Sequence, residues 1–189
     1  MEKRHMHFTS DLKVRSEEDG FFIEGYFAVF NQETELFPGA FEEIAPGAFD
    51  KSLRENAIFC LDNHDTKSVL ADTVSRTLEL RVDDHGLWGR VELDLEDPVA
   101  KSAYRKVKTG KVRGCSFGFI PVKEETDFRD DGTVKWRVLE ADTKEVSITA
   151  FPAYAQTDIR TREKQKEQIE QRQLDKKKHE LKERLNKCL

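Results

Sequence analysis

Between residues 21 and 150 the chain is a succession of short runs rich in aromatic and β-branched residues, cut by turn residues, with two stretches that read as helix. Such runs fit a pleated, half-buried surface. Residues 21–30 open the series and residues 57–61 form a short buried strand. Residues 77–82 and 87–93 alternate apolar and polar positions around Asp83, Asp84, His85 and Gly86, which is hairpin chemistry with Gly86 expected at a positive φ. Residues 114–122, 134–140 and 144–150 read as three further strands, with residues 124–132 as a mobile polar loop. A short helix follows the turn at Pro46 and Gly47 through Lys51, Leu53 and Arg54. A longer one starts with Asp97 as N-cap and Pro98 at the first helical position, shows an apolar stripe of Val99, Ala103 and Val107, and stops at Gly110. Seven strands and two helices suggest a mostly β fold with flanking helices: a closed or nearly closed antiparallel β-barrel of about seven strands, because so many short strands must hide their edges.

Residues 1–20 are polar and read as irregular, and the composition changes again after Pro152. Residues 160–189 lack Gly, Pro and aromatic side chains and carry 11 Lys/Arg against 6 Asp/Glu. Residues 1–159 then hold 21 basic and 31 acidic groups, a net charge of −10 against +5 on the tail. The expected organisation is a polar segment over 1–20, a barrel domain over 21–159, and a charged helical or disordered tail over 160–189. Leu174, Leu181 and Leu185, with Ile169 less regular, give that tail only a narrow apolar stripe. An acidic body argues against a nucleic-acid-binding core. No apolar run approaches the roughly 20 residues of a membrane-spanning helix, so neither nucleic acid nor membrane is expected as a partner. Cys60, Cys115 and Cys188 are an odd set without CxxC spacing, which points to a reducing compartment and to no disulfide framework or zinc cage. No HExxH or clustered His/Cys spacing is present, and no metal or other cofactor is expected.

Ser116 lies in the run GCSFGF (114–119), where a strand puts residues 114, 116 and 118 on one face. Flanked by two glycines on that face, the hydroxyl has the clearance a nucleophile needs, while Cys115, Phe117 and Phe119 point into the core. A bulged strand with a serine in a tight spot explains the spacing as well. The same residues match G-x-S-x-G, but the chain continues as strand beyond Phe119, and the only later histidine, His179, is in the polar tail. That context excludes the strand-turn-helix elbow of α/β-hydrolases. Cys115 is the other thiol or hydroxyl nucleophile available here, on the opposite face, where a small buried thiol is the commoner role.

His64 ends the apolar run after residue 57 in an Asp62, Asn63, His64, Asp65 turn, placed either to act as a general base or simply to face solvent. His5, His7, His85 and His179 lie in the polar start, a hairpin turn and the tail. Glu145 opens a strand whose apolar face is Val146, Ile148 and Ala150, so it shares the other face with Ser147 and Thr149. There it can orient an imidazole, or stand as an edge charge.

The order of five segments carries a resemblance: EIAPGAFDKSL (43–53), LDNHD (61–65), DHGL (84–87), GCSFGF (114–119) and EVSITAFPA (145–153). With 52 residues from His64 to Ser116 and 29 from Ser116 to Glu145, the chain resembles the prohead proteases of tailed phages, which are related in fold to the herpesvirus assemblins. The resemblance implies a serine endopeptidase with His64 as general base, Ser116 as nucleophile and Glu145 as the orienting carboxylate. It also implies substrates: the phage major capsid protein, through its scaffold segment, or a separate scaffold protein, cleaved in the host cytoplasm inside the assembling prohead, followed by self-processing. By analogy with assemblins it implies a homodimer or higher oligomer. Tyr154 stands where such relatives often carry Asn. A catalytically inactive barrel, acting as a capsid-assembly scaffold or chaperone through its C-terminal helix, is the competing reading.

Overall fold

The computed structural model describes residues 4–9, 12–17 and 20–150, together with residues 162–167, 170, 171, 174 and 178 of the tail. The chain divides into two compact units, Met1–Tyr154 and Ala155–Leu189. In the second, the described residues are helical, while the leucines at 181 and 185 lie outside the described residues.

The first unit is built from two sheets. The smaller has the order β2 (Lys13–Glu17), β3 (Gly20–Val29), β9 (Gly86–Leu93), β8 (Leu78–Val82), antiparallel throughout. The larger runs β1 (Arg4–Thr9), β10 (Gly114–Phe128), β11 (Val134–Thr149), β5 (Ala40–Ile44), β4 (Thr34–Phe37), with β6 (Phe59–Asp62) also on β11 and β7 (Val69–Asp72) on β6. One continuous core joins both sheets: Ile23 and Phe27 of β3, Leu87 and Val91 of β9, Met6 of β1, Cys115, Phe117 and Phe119 of β10, and Val146 and Ile148 of β11. The alternation read from residues 115, 117 and 119 therefore places those three side chains inside, as a period of two requires.

Several sequence expectations are corrected. Neither sheet closes into a barrel. Edges are managed instead by packing two sheets on one core and by pairing long strands with more than one partner. The sheets are also not wholly antiparallel: β5 and β6 both run parallel to β11. The stretches 134–140 and 144–150 are one strand of 16 residues, and the polar loop at 124–132 is largely the outer half of a 15-residue strand, β10. The polar start contains two strands: β1, whose partner β10 is far away in sequence, and β2, which pairs with the adjacent β3. Gly86 does not take a positive φ. It is glycine because the chain passes close: a Cβ there would lie 2.0 Å from the Ala28 carbonyl oxygen.

Helix α1 (Asp50–Glu55) sits between β5 and β6, which occupy the same side of β11 at its two ends. In the gap the buried Ser52 hydroxyl donates to the Ala141 carbonyl and accepts from the Thr143 N–H at 2.9 Å. Asn56 Nδ2 donates to the Thr143 carbonyl at 2.8 Å and to Asp142 Oδ1 at 2.8 Å. These side chains replace the missing ladder, since a buried backbone group without a partner costs about as much as a lost hydrogen bond. Helix α2 (Pro98–Lys108) starts where the sequence places it, with Asp97 Oδ1 accepting from Val99 N at 2.9 Å and Pro98 in the first turn. It ends at Gly110, φ +68°.

Candidate functional site

Strand register defines the site. His5 of β1 pairs with Gly118 of β10, Gly118 with Glu145 of β11, and Glu145 with Phe59 of β6, so these four share one row across the sheet. The neighbouring row contains Ser116, Ser147 and Leu61. Because Gly118 has no side chain, nothing in the row separates His5 from Glu145, and His5 Nε2 lies 3.3 Å from Glu145 Oε1. The register between β10 and β11 shifts just beyond, between Gly118 and Phe119, leaving Lys144 as the extra residue. Such a bulge re-aims the side chains beside it.

His64 approaches from the turn after β6. Asn63 and His64 both adopt left-handed backbone, φ +52° and +61°. That conformation is uncommon for residues with a Cβ and persists only where the surroundings enforce it. Here β11 does so: Asn63 N–H donates to the Ile148 carbonyl at 3.0 Å, and Asn63 Oδ1 accepts from Ala150 N–H at 3.1 Å. The turn delivers the imidazole to Glu145, with His64 Nδ1 2.7 Å from Oε1. An ionised carboxylate only accepts, so Nδ1 carries the proton, and in the neutral ring Nε2 is the basic nitrogen.

Glu145 is 2% exposed. Burial alone would raise its pKa, but hydrogen bonds from His5, His64 and Ser147 outweigh that and hold the carboxyl well below the usual carboxylate range. The Ser147 hydroxyl donates to Oε2 at 2.6 Å, so both carboxylate oxygens are engaged.

Ser116 is fully buried, and its hydroxyl donates to the Met6 carbonyl of β1 at 2.8 Å. The structure thus joins His64 to Glu145 and sets Ser116 on the adjacent strand, with its proton directed to β1. The clearance expected from Gly114 and Gly118 is filled by that strand. Cys115 is buried on the opposite face, and burial pushes the nearby Cys60 thiol well above its ordinary pKa. The Cys60 thiol is therefore not poised as a thiolate.

Two residues at the site were not singled out from sequence. Ser147 was legible as sharing the Glu145 face, but nothing local indicated its bond to the carboxylate. His5 lies in a polar stretch that gives no local signal; its ring is tilted against that of His64, centroids 4.3 Å apart. The ligand atoms of His5, His64 and Glu145 lie within 4.8 Å of one another. Both imidazoles present a ring nitrogen to the same carboxylate oxygen, Oε1 of Glu145. A groove of about 300 Å³ adjoins Glu145, lined by Phe59, Leu61, Thr66, Val69 and Lys144.

No curated protein matches the chain. Among solved structures, the capsid assembly protease of bacteriophage T4 is similar in fold, with a TM-score of 0.52 and 11% identity, over 78% of this chain and 96% of that one. The family model of caudovirus prohead serine proteases matches residues 10–172. That span contains both sheets apart from β1, and with them His64, Ser116 and Glu145, so the chain belongs to the caudovirus prohead serine protease family.

Proposed function

We propose that this protease is a serine endopeptidase of capsid maturation in which Ser116 is the nucleophile, His64 the general base and Glu145 the carboxylate that orients it. The observation that carries the reading is the 2.7 Å contact from His64 Nδ1 to Glu145 Oε1, made on the strand that pairs with the strand of Ser116. That contact fixes the tautomer in which Nε2 is the basic nitrogen, and the carboxylate stabilises the imidazolium that forms. In the reaction, Ser116 Oγ bonds to the carbonyl carbon of an extended peptide as its proton passes to His64 Nε2. The C–N bond then breaks and the amine leaves with that proton. Water, deprotonated by the same nitrogen, releases the acid and restores Ser116.

The substrates in this reading are the scaffold segment of the major capsid protein, or a separate scaffold protein, inside the assembling prohead, and then the protease itself. The groove beside Glu145, with Phe59 and Val69 each about two-fifths exposed, suits an apolar substrate side chain. The basic tail on an acidic body suits a removable segment that brings the protease in with the scaffold. Mass spectrometry that finds residues 160–189 intact in mature shells would count against that last step.

Full burial of Ser116 favours a second reading, a catalytically inert assembly scaffold or chaperone. Co-expression with a capsid or scaffold protein separates the two. Processing that is lost in Ser116→Ala, with circular dichroism unchanged, supports the enzyme. Processing that persists in that variant overturns the assignment of the nucleophile.

A further inference from the structure

Strand β1 touches all three members of the proposed triad. The Met6 carbonyl accepts the Ser116 hydroxyl at 2.8 Å, His5 Nε2 lies 3.3 Å from Glu145 Oε1, and the His5 ring contacts the His64 ring at a tilt, centroids 4.3 Å apart. Among the described residues β1 is the terminal strand of its sheet, paired only with β10, over Arg4–Thr9 against Gly114–Phe119. Its removal would break one ladder and expose the β10 backbone edge that carries Ser116. A strand edge of that kind takes an extended peptide by adding a strand, the main chain giving affinity and alternate side chains giving selectivity. β1 also lies outside residues 10–172, the span that matches the family model.

We propose that the edge of β10 at residues 114–119 is the peptide-binding site of this enzyme, and that β1 is a built-in occupant of it which an extended substrate must displace. The inference rests on the assignment of Ser116, His64 and Glu145 above. β1 marks the path of the ligand: antiparallel to β10, with the carbonyl of the residue at the Met6 position held by the serine hydroxyl. It also indicates the ligand's chemistry. Met6 is fully buried with Phe117 in the main core, so the residue that donates the held carbonyl is unbranched and apolar. Two positions earlier, Arg4 is nine-tenths buried, with Nη1 2.9 Å from Glu124 Oε1 and 3.8 Å from Glu42 Oε1. That position takes a basic side chain.

Occlusion sets the active fraction of the enzyme, because binding by a minor open state is weakened by the population of that state. Substituting Met6→Asp in the full chain places a carboxylate in the core whenever β1 is docked, and so favours release. Met6→Ala loosens the strand without a buried charge. Both variants are compared with the native chain by amide exchange over residues 4–9 and by the rate at which a fluorophosphonate probe labels Ser116, with Ser116→Ala as the blank. The expected result is faster exchange and labelling raised roughly tenfold or more in Met6→Asp, less in Met6→Ala, with a synthetic peptide of residues 1–9 returning the labelling rate toward the native one while residues 4–9 of the chain stay fast-exchanging. Should Met6→Asp fail to fold, Met6→Ala and the peptide decide alone. Labelling that depends on Ser116 but is equal in every chain overturns the occlusion and leaves the protease assignment standing. Labelling absent from every chain overturns that assignment and this proposal with it.

Discussion

His64 and Glu145, 81 residues apart in sequence, meet at 2.7 Å because a left-handed Asn63–His64 turn is hydrogen-bonded to the end of the strand that carries the glutamate. The base and its orienting group are thus held by one piece of backbone. Ser116 lies on the other strand of the same ladder.

Replacing Glu145 by Gln keeps the volume but offers one acceptor where the carboxylate offers two oxygens to His5, His64 and Ser147. Loss of the imidazole tautomer should lower kcat by about 10³- to 10⁴-fold with little change in KM. The broken charged hydrogen bonds should cost about 1–3 kcal/mol of stability. Steady-state kinetics on a peptide substrate and urea unfolding check both; a variant retaining kcat within tenfold removes Glu145 from the mechanism.

The pH dependence of stability follows from the same carboxyl. Its folded pKa lies far below the ordinary 4.5, so the unfolded chain binds the proton more readily. The stabilisation from Glu145 is therefore complete above pH 4.5, declines as the pH falls below that value, and is gone once the folded-state pKa is passed. The difference in unfolding free energy between the native chain and Glu145→Gln should be flat from neutral pH down to that point and then shrink. A difference that stays constant on further acidification would contradict the depressed pKa.

Gly86 and Gly132 separate close approach from backbone freedom. A Cβ on Gly86 would meet the Ala28 carbonyl oxygen at 2.0 Å, whereas one on Gly132, at φ +84°, would meet nothing within 4 Å. Gly86→Ala should cost about 1–3 kcal/mol by forcing β3 and β9 apart. Gly132→Ala should cost about 1 kcal/mol, from left-handed backbone alone. Thermal melts of the two variants test the order; equal losses would argue against the β3–β9 contact.

Ser52→Ala should cost about 1–3 kcal/mol, because it leaves the Ala141 carbonyl and the Thr143 N–H unsatisfied inside the protein. Both flank the β11 segment leading to Glu145, so amide exchange should quicken at residues 141–145 before it does in β3 or β9. Uniform exchange across the domain would show that α1 does not seal that gap.

Sequence alone determined what depends on contiguous windows: the inward alternation of Cys115, Phe117 and Phe119, the capped helix after Asp97, the hairpin around Asp83–Gly86, and the ordered motifs that mark the family. The tertiary structure decided what depends on distant edges. β5 and β6 run parallel to one long β11, the polar start becomes a strand on β10, and His5 joins Glu145. A Ser116 that local spacing leaves exposed is buried beneath the carbonyl of Met6, 110 residues away. The physical reason is that propensity and periodicity act over a few neighbouring residues, whereas strand pairing is settled by which backbone edges remain unsatisfied once the rest of the chain has folded.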